Sequence, residues 1–128
     1  MSAAARTYAL RGAAHEPQRA WVVRVEPSDG ARFVLRDTPV LLRLSHAADP
    51  TSVTLAAVRV LDLEGAVPAR VRSSADGRVV IWEPERLLVP GIVHWVRMEG
   101  LRDAQGREIE GLSSRFTPCG FSRADLSG

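Results

Sequence analysis

The chain has 128 residues, 45% of them hydrophobic and 25% charged, a balance that sustains one buried core and excludes a disordered polyelectrolyte. Its formal charge of +2, with basic residues scattered singly among apolar neighbours, excludes the clustered footprint of a nucleic-acid binder. A single cysteine, Cys119, excludes an intrachain disulfide, and no run approaches the roughly eighteen apolar residues of a membrane-spanning helix.

All seventeen basic residues are arginine, and asparagine is absent as well. A GC-rich genome explains this bias more simply than selection for guanidinium-rich interfaces. Residues 1–19 are rich in Ala and Arg, interrupted by Gly12 and Pro17, and read as an N-terminal extension. They lack the apolar core of an export signal, which as written fits the cytoplasm but leaves the compartment open.

From residue 20 the pattern changes to short β-branched and apolar runs cut by turn signals, the mark of a sandwich or barrel. Trp21 to Val25 alternates, which places Trp21, Val23 and Val25 on one face and Val22 and Arg24 on the other. Pro27-Ser28-Asp29-Gly30 supplies a turn. Short strands are expected at Arg32–Leu35 and Val40–Ser45, with a helical turn or crossing loop over 50–57. Val58 to Leu61 is the next strand, followed by alternation of Val67, Ala69 and Val71 with Pro68, Arg70 and Arg72. Asp76-Gly77 forms a hairpin turn into Arg78–Glu83. Ile92–Met98 and Ser114–Thr117 complete the set, and residues 119–128 read as a short polar tail around Phe121. The reading is an all-β, immunoglobulin-like Greek-key sandwich of about seven strands over residues 20–118.

A shared order of turns supports this. Pro27-Ser28-Asp29-Gly30, Leu44-Ser45 with Asp49-Pro50-Thr51-Ser52-Val53, and Val58-Arg59-Val60-Leu61-Asp62 with Gly65 come first. Pro84 and Leu87 leading to Pro90-Gly91, Leu101-Arg102-Asp103 with Gly106, and Phe116-Thr117 follow. Across roughly three quarters of the chain this order resembles the bacterial immunoglobulin-like domain of the S-layer type. The resemblance implies a sandwich of about seven strands, a non-catalytic role in adhesion, spacing or assembly, and a cell-envelope or extracellular setting. Two departures stand out. His94 occupies the position where that family often has Tyr, three residues after the Pro-Gly turn, and the domain stands alone instead of in a tandem array.

In the register that the resemblance sets, Val40, Leu42, Leu44, Val80, Trp82, His94, Val96 and Met98 point inward. The opposite faces then carry large apolar residues where a solvated sheet face normally alternates with polar ones. Leu41, Val79 and Ile81 are expected to form one patch, with Val93 and Trp95 on the other sheet. Contiguous apolar surface of this kind marks an interaction site, so these five residues are the candidate interface. A protein partner within a larger assembly is the first expectation. A polysaccharide stacked on Trp95 is the second.

Candidate chemistry is sparse. His15, His46 and His94 lack the short spacings of zinc ligands. Cys119 has no Ser/His/Asp arrangement to activate it. Asp103-Ala104-Gln105-Gly106 has too few acidic ligands for calcium and reads as a β-turn. No enzyme activity, cofactor, metal or nucleic-acid partner is expected.

Overall fold

The computed structural model describes residues 19–127. The expected N-terminal extension and His15 fall outside these residues, apart from Arg19. Nine strands lie among the described residues: β1 (Val22–Glu26), β2 (Ala31–Val34), β3 (Val40–Leu44), β4 (Val58–Asp62), β5 (Gly65–Ala66), β6 (Ala69–Ser73), β7 (Val79–Pro84), β8 (His94–Met98) and β9 (Leu112–Pro118). A 3-10 turn, Pro50–Ser52, is capped by the Asp49 side chain, which accepts from the Thr51 N–H at 3.0 Å.

The strands form two sheets. The four-stranded sheet runs β1-β3-β7-β6 and the five-stranded sheet β2-β9-β8-β4-β5. The chain changes sheet after β1, β2, β3, β5 and β7 and stays within one sheet at β4–β5, β6–β7 and β8–β9, which makes a two-layer β-sandwich. All ladders are antiparallel except β2–β9. The Ser28–Ala31 turn carries the chain from one sheet to the other. It is anchored to β9, because Gly30 N–H donates to Arg115 O at 2.8 Å and Asp29 Oδ1 accepts from Arg115 N–H at 3.1 Å.

The core fills the space between the sheets as alternation requires. Val40, Leu42, Leu44, Val80, Trp82, His94, Val96 and Met98 all face inward, none more than 5% exposed. Each fully buried Leu, Val or Met of this set contributes about 1.5–3 kcal/mol from burial alone. The Asp76-Gly77 turn forms as expected: Gly77 holds φ +75, and Asp76 Oδ1 accepts from Arg78 N–H at 3.0 Å and Ser74 Oγ at 2.7 Å.

Three local expectations change. In β1, Val22 pairs with Leu44 but Arg24 pairs with Arg43, so a bulge inserts an extra residue. Val22 and Val25 therefore pack on the core while Trp21 and Val23 turn outward, 45% and 54% exposed. β2 also breaks register, between Ala31 and Val34, and Phe33 there has φ +61 and is 86% exposed. The expected polar tail contains a short helix, α1 (Arg123–Ser127), tied back to the β2–β3 loop: Arg36 N–H donates to Phe121 O at 2.9 Å and Arg123 N–H to Asp37 Oδ1 at 3.0 Å.

Candidate interaction surfaces

The outer face of the four-stranded sheet gathers Leu41, Val79 and Ile81. Leu41 stands directly opposite Ile81, and Val79 opposite Arg43 one step along the ladder. All three are half-buried. On the ladders, Glu26 of β1 stands opposite Leu41 and Arg24 opposite Arg43, while Arg72 of β6 stands opposite Ile81 and Arg70 opposite Glu83. The Arg24 guanidinium meets Glu26 at 3.0 Å and Arg72 meets Glu83 at 3.6 Å. Both pairs are largely solvent-exposed, so each is worth little as a salt bridge. Their contribution is to hold aliphatic stems beside the apolar strip while the charged heads stay in water.

The outer face of the five-stranded sheet places Trp95 between Leu61 on β4 and Arg115 on β9. Trp95 is half-buried there, and Val93, just before β8, is 36% exposed. Trp95 forms one wall of an open cleft of about 340 Å³ completed by Asp29, Arg97, Ser113, Ser114 and Arg115. The five expected interface residues thus divide three and two between opposite faces. They cannot act as one site.

Titratable groups are held by structural contacts. His94 is fully buried, stacks on Phe116 with ring centroids 5.5 Å apart, and places Nδ1 3.1 Å from Ile92 O. A carbonyl only accepts, so Nδ1 carries the proton in this contact, and Nε2 is buried without a hydrogen-bond partner among the described residues. His46 Nδ1 lies 2.8 Å from Ser45 Oγ, and Cys119 Sγ faces Phe121 O at 3.8 Å. Asp103 is more than the turn residue expected from its sequence. Its side chain is 1% exposed; Oδ1 accepts from Gln105 N–H at 2.9 Å and Arg107 N–H at 2.8 Å, and Oδ2 from Arg107 Nε at 2.8 Å. Burial pushes this carboxyl up, but the hydrogen bonds and charge of Arg107, with the Gln105 N–H, outweigh it and hold it below the ordinary aspartate value. Among the described residues no three His, Cys, Asp or Glu side chains gather as a metal site would require.

Alternation did not mark every exposed apolar side chain. Phe33, Leu55, Leu63 and Phe121 are 86%, 45%, 77% and 58% exposed. They lie in a bulge, two connections and the tail, where a period-2 pattern carries no information about direction.

No protein-family model and no curated protein sequence matches the chain. Solved structures do. It is similar to the surface layer protein SbsC, domains 1–6, at TM-score 0.62 and 19% identity over 80% of this chain. It is similar to CopC from Methylosinus trichosporium OB3b at TM-score 0.65 and 18% identity, with 79% of this chain and 94% of that one aligned. An L,D-transpeptidase from Mycobacterium smegmatis aligns at TM-score 0.56 and 18% identity, over 80% of this chain and 41% of that one. The chain shares their fold. It spans only 14% of the SbsC chain, and at these identities the likeness reaches the β-sandwich and no further.

Proposed function

We propose that this domain is a non-catalytic accessory or structural module that binds other proteins within a larger assembly of the cell envelope, using the apolar strip on its four-stranded sheet. The observation that carries the reading is the strip of Leu41, Val79 and Ile81 in the middle of an outer face. Each side chain is already half-buried, so covering the remainder contributes about 1 kcal/mol apiece, roughly half the value for full burial. The flanking Arg24–Glu26 and Arg72–Glu83 pairs suit the polar rim of such a contact. The non-catalytic part is supported by how the reactive groups are engaged: His94 is sealed in the core, His46 sits on Ser45, and Cys119 faces a carbonyl. The envelope setting is supported by the sequence resemblance and by the S-layer protein among the structural neighbours.

The test is affinity purification from the source organism with the whole chain and its Leu41→Glu/Ile81→Glu variant as baits, after matched melting curves show both folded. Proteins captured by the first and lost by the second support the reading. Identical captures overturn it.

A second reading, polysaccharide binding, is favoured by the Trp95 cleft, where an indole face stands beside Asp29, Ser113 and Arg115. Among the described residues Trp95 is the one aromatic that lines that cleft, which ranks this reading below protein contact. Glycan-array binding that disappears in Trp95→Ala would support it, and no glycan binding by the whole chain would retire it.

A further inference from the structure

A sheet edge presents unpaired main-chain donors and acceptors that template pairing with another chain, and native proteins blunt such edges. Three of the four edges among the described residues are blunted. β1 carries the bulge at Val22–Arg24, β2 breaks register around the left-handed Phe33, and β5 is two residues long. The fourth edge, β6, keeps five residues in unbroken register with β7 and contains no proline.

Parity decides which groups it offers. Glu85 N–H donates to Pro68 O at 2.9 Å and Ser74 N–H to Val79 O at 2.8 Å. The even-numbered residues between them, Arg70 and Arg72, therefore bond to β7, and the N–H and C=O groups of Ala69, Val71 and Ser73 point to the free edge. On the core side of this edge lies an apolar groove. A narrow pocket of about 190 Å³ there is lined by Leu55, Ala69 and Trp82, and a wider open space of about 530 Å³, sharing Leu55 and Ala69, wraps the edge past Val71 to Arg70, Arg72 and Glu83. On the outer side Arg70 and Arg72 project into solvent opposite Glu83 and Ile81 of β7, and Arg72 shares Glu83 at 3.6 Å.

We propose that the β6 edge accepts an extended peptide as an added strand, and that this peptide alternates acidic with apolar residues. Its main chain would pair with Ala69, Val71 and Ser73, its apolar side chains would enter the groove at Leu55, and its carboxylates would face Arg70 and Arg72. Main-chain pairing supplies affinity in such recognition and the pockets for alternate side chains supply specificity. A second copy of the chain does not fit. Two-fold antiparallel pairing of β6 with itself sets Arg70 against Arg72, Arg70 against Arg70 or Arg72 against Arg72, and like charges directly opposite are destabilising. The inference is independent of the outer-face reading, since the edge would bind whether or not the strip on Leu41 and Ile81 does.

The experiment follows amide hydrogen exchange by NMR on the whole chain, with an eight-residue peptide alternating Glu and Val and with its Lys/Val counterpart. The Glu peptide should slow exchange at Ala69, Val71 and Ser73 and bind about tenfold more tightly than the Lys peptide at low salt. Arg70→Glu/Arg72→Glu should invert that preference, and Val71→Pro should abolish binding by removing the outward N–H. If Val71→Pro fails to fold, the charge-reversed variant decides alone. The proposal is overturned by no slowing at millimolar peptide, by equal affinity for both peptides, or by slow exchange of these amides in the free chain.

Discussion

Replacing Asp103 tests how much of the 101–109 connection depends on one buried carboxylate. Asp103→Asn keeps Oδ1, which accepts from both Gln105 N–H and Arg107 N–H, but sets an amide donor against Arg107 Nε, where Oδ2 accepts at 2.8 Å. One charge-assisted hydrogen bond is lost, at a cost of about 1.5–3 kcal/mol. Asp103→Ala loses all three bonds; water reaches the exposed Gln105 and restores part, so the expected cost is about 3–5 kcal/mol. For a domain of this size each kcal/mol lowers Tm by about 4 °C, so scanning calorimetry separates the two variants. The pH dependence has a definite sign. Asp103 is held below the ordinary carboxyl value in the folded state, so its contribution is fully present above the unfolded value of about 3.9 and is lost as pH falls through the lower folded value. The gap in Tm between the native chain and Asp103→Asn should be constant from pH 7 to about 5 and close below about 4. A gap that stays constant to the acid limit, or no gap at pH 7, would refute the assignment of stability to this carboxylate.

Other expectations follow from single residues. His94→Phe removes the unpaired Nε2 while keeping a ring against Phe116, so chemical denaturation should show a change within about 1 kcal/mol in either direction, whereas His94→Ala should cost about 3 kcal/mol or more through the cavity it leaves. Gly77→Ala should destabilise by about 1–2 kcal/mol, because φ +75 is left-handed and the new Cβ would lie 3.1 Å from Ala47 Cβ. Phe33→Gly, at φ +61 and 86% exposed, should leave Tm unchanged or raise it, since glycine relieves about 1 kcal/mol of backbone strain and little packing is lost.

The parts of the fold that follow from period-2 patterning were readable in advance. Alternation groups Val40, Leu42 and Leu44 against Leu41 and Arg43, and Val80 and Trp82 against Val79 and Ile81, but 79–82 are all apolar, so the choice of inward face came from the resemblance and the structure agrees with it. The same rule misdirects β1, because alternation assumes one residue per step and the bulge after Val22 adds another. Val25 then faces the core with Val22 instead of sharing a face with Trp21 and Val23. The groove beside β6 was beyond reach for a different reason. Its walls come from Leu55 in a loop, Ala69 on an edge and Trp82 from the neighbouring strand, and only the strand order brings them together. Nor does the run Arg70-Val71-Arg72 reveal whether its strand is flanked on both sides or one. Asp103 looked like an ordinary turn residue because sequence spacing cannot report that its carboxylate turns inward to collect three donors.

The pairing of β2 with β9 has a mechanical consequence. β2 follows β1 near the start of the domain, β9 is the last strand, and the two run parallel, joined by contacts such as Gly30 N–H to Arg115 O and Cys119 N–H to Val34 O, each 2.8 Å. Tension applied through the two chain ends pulls them in opposite directions along their length, so the bonds between them are sheared together instead of being opened one after another like a zip. Once β1 has come away from β3, stretching is resisted at that short seam, and Asp29 rivets the seam to the turn that feeds it.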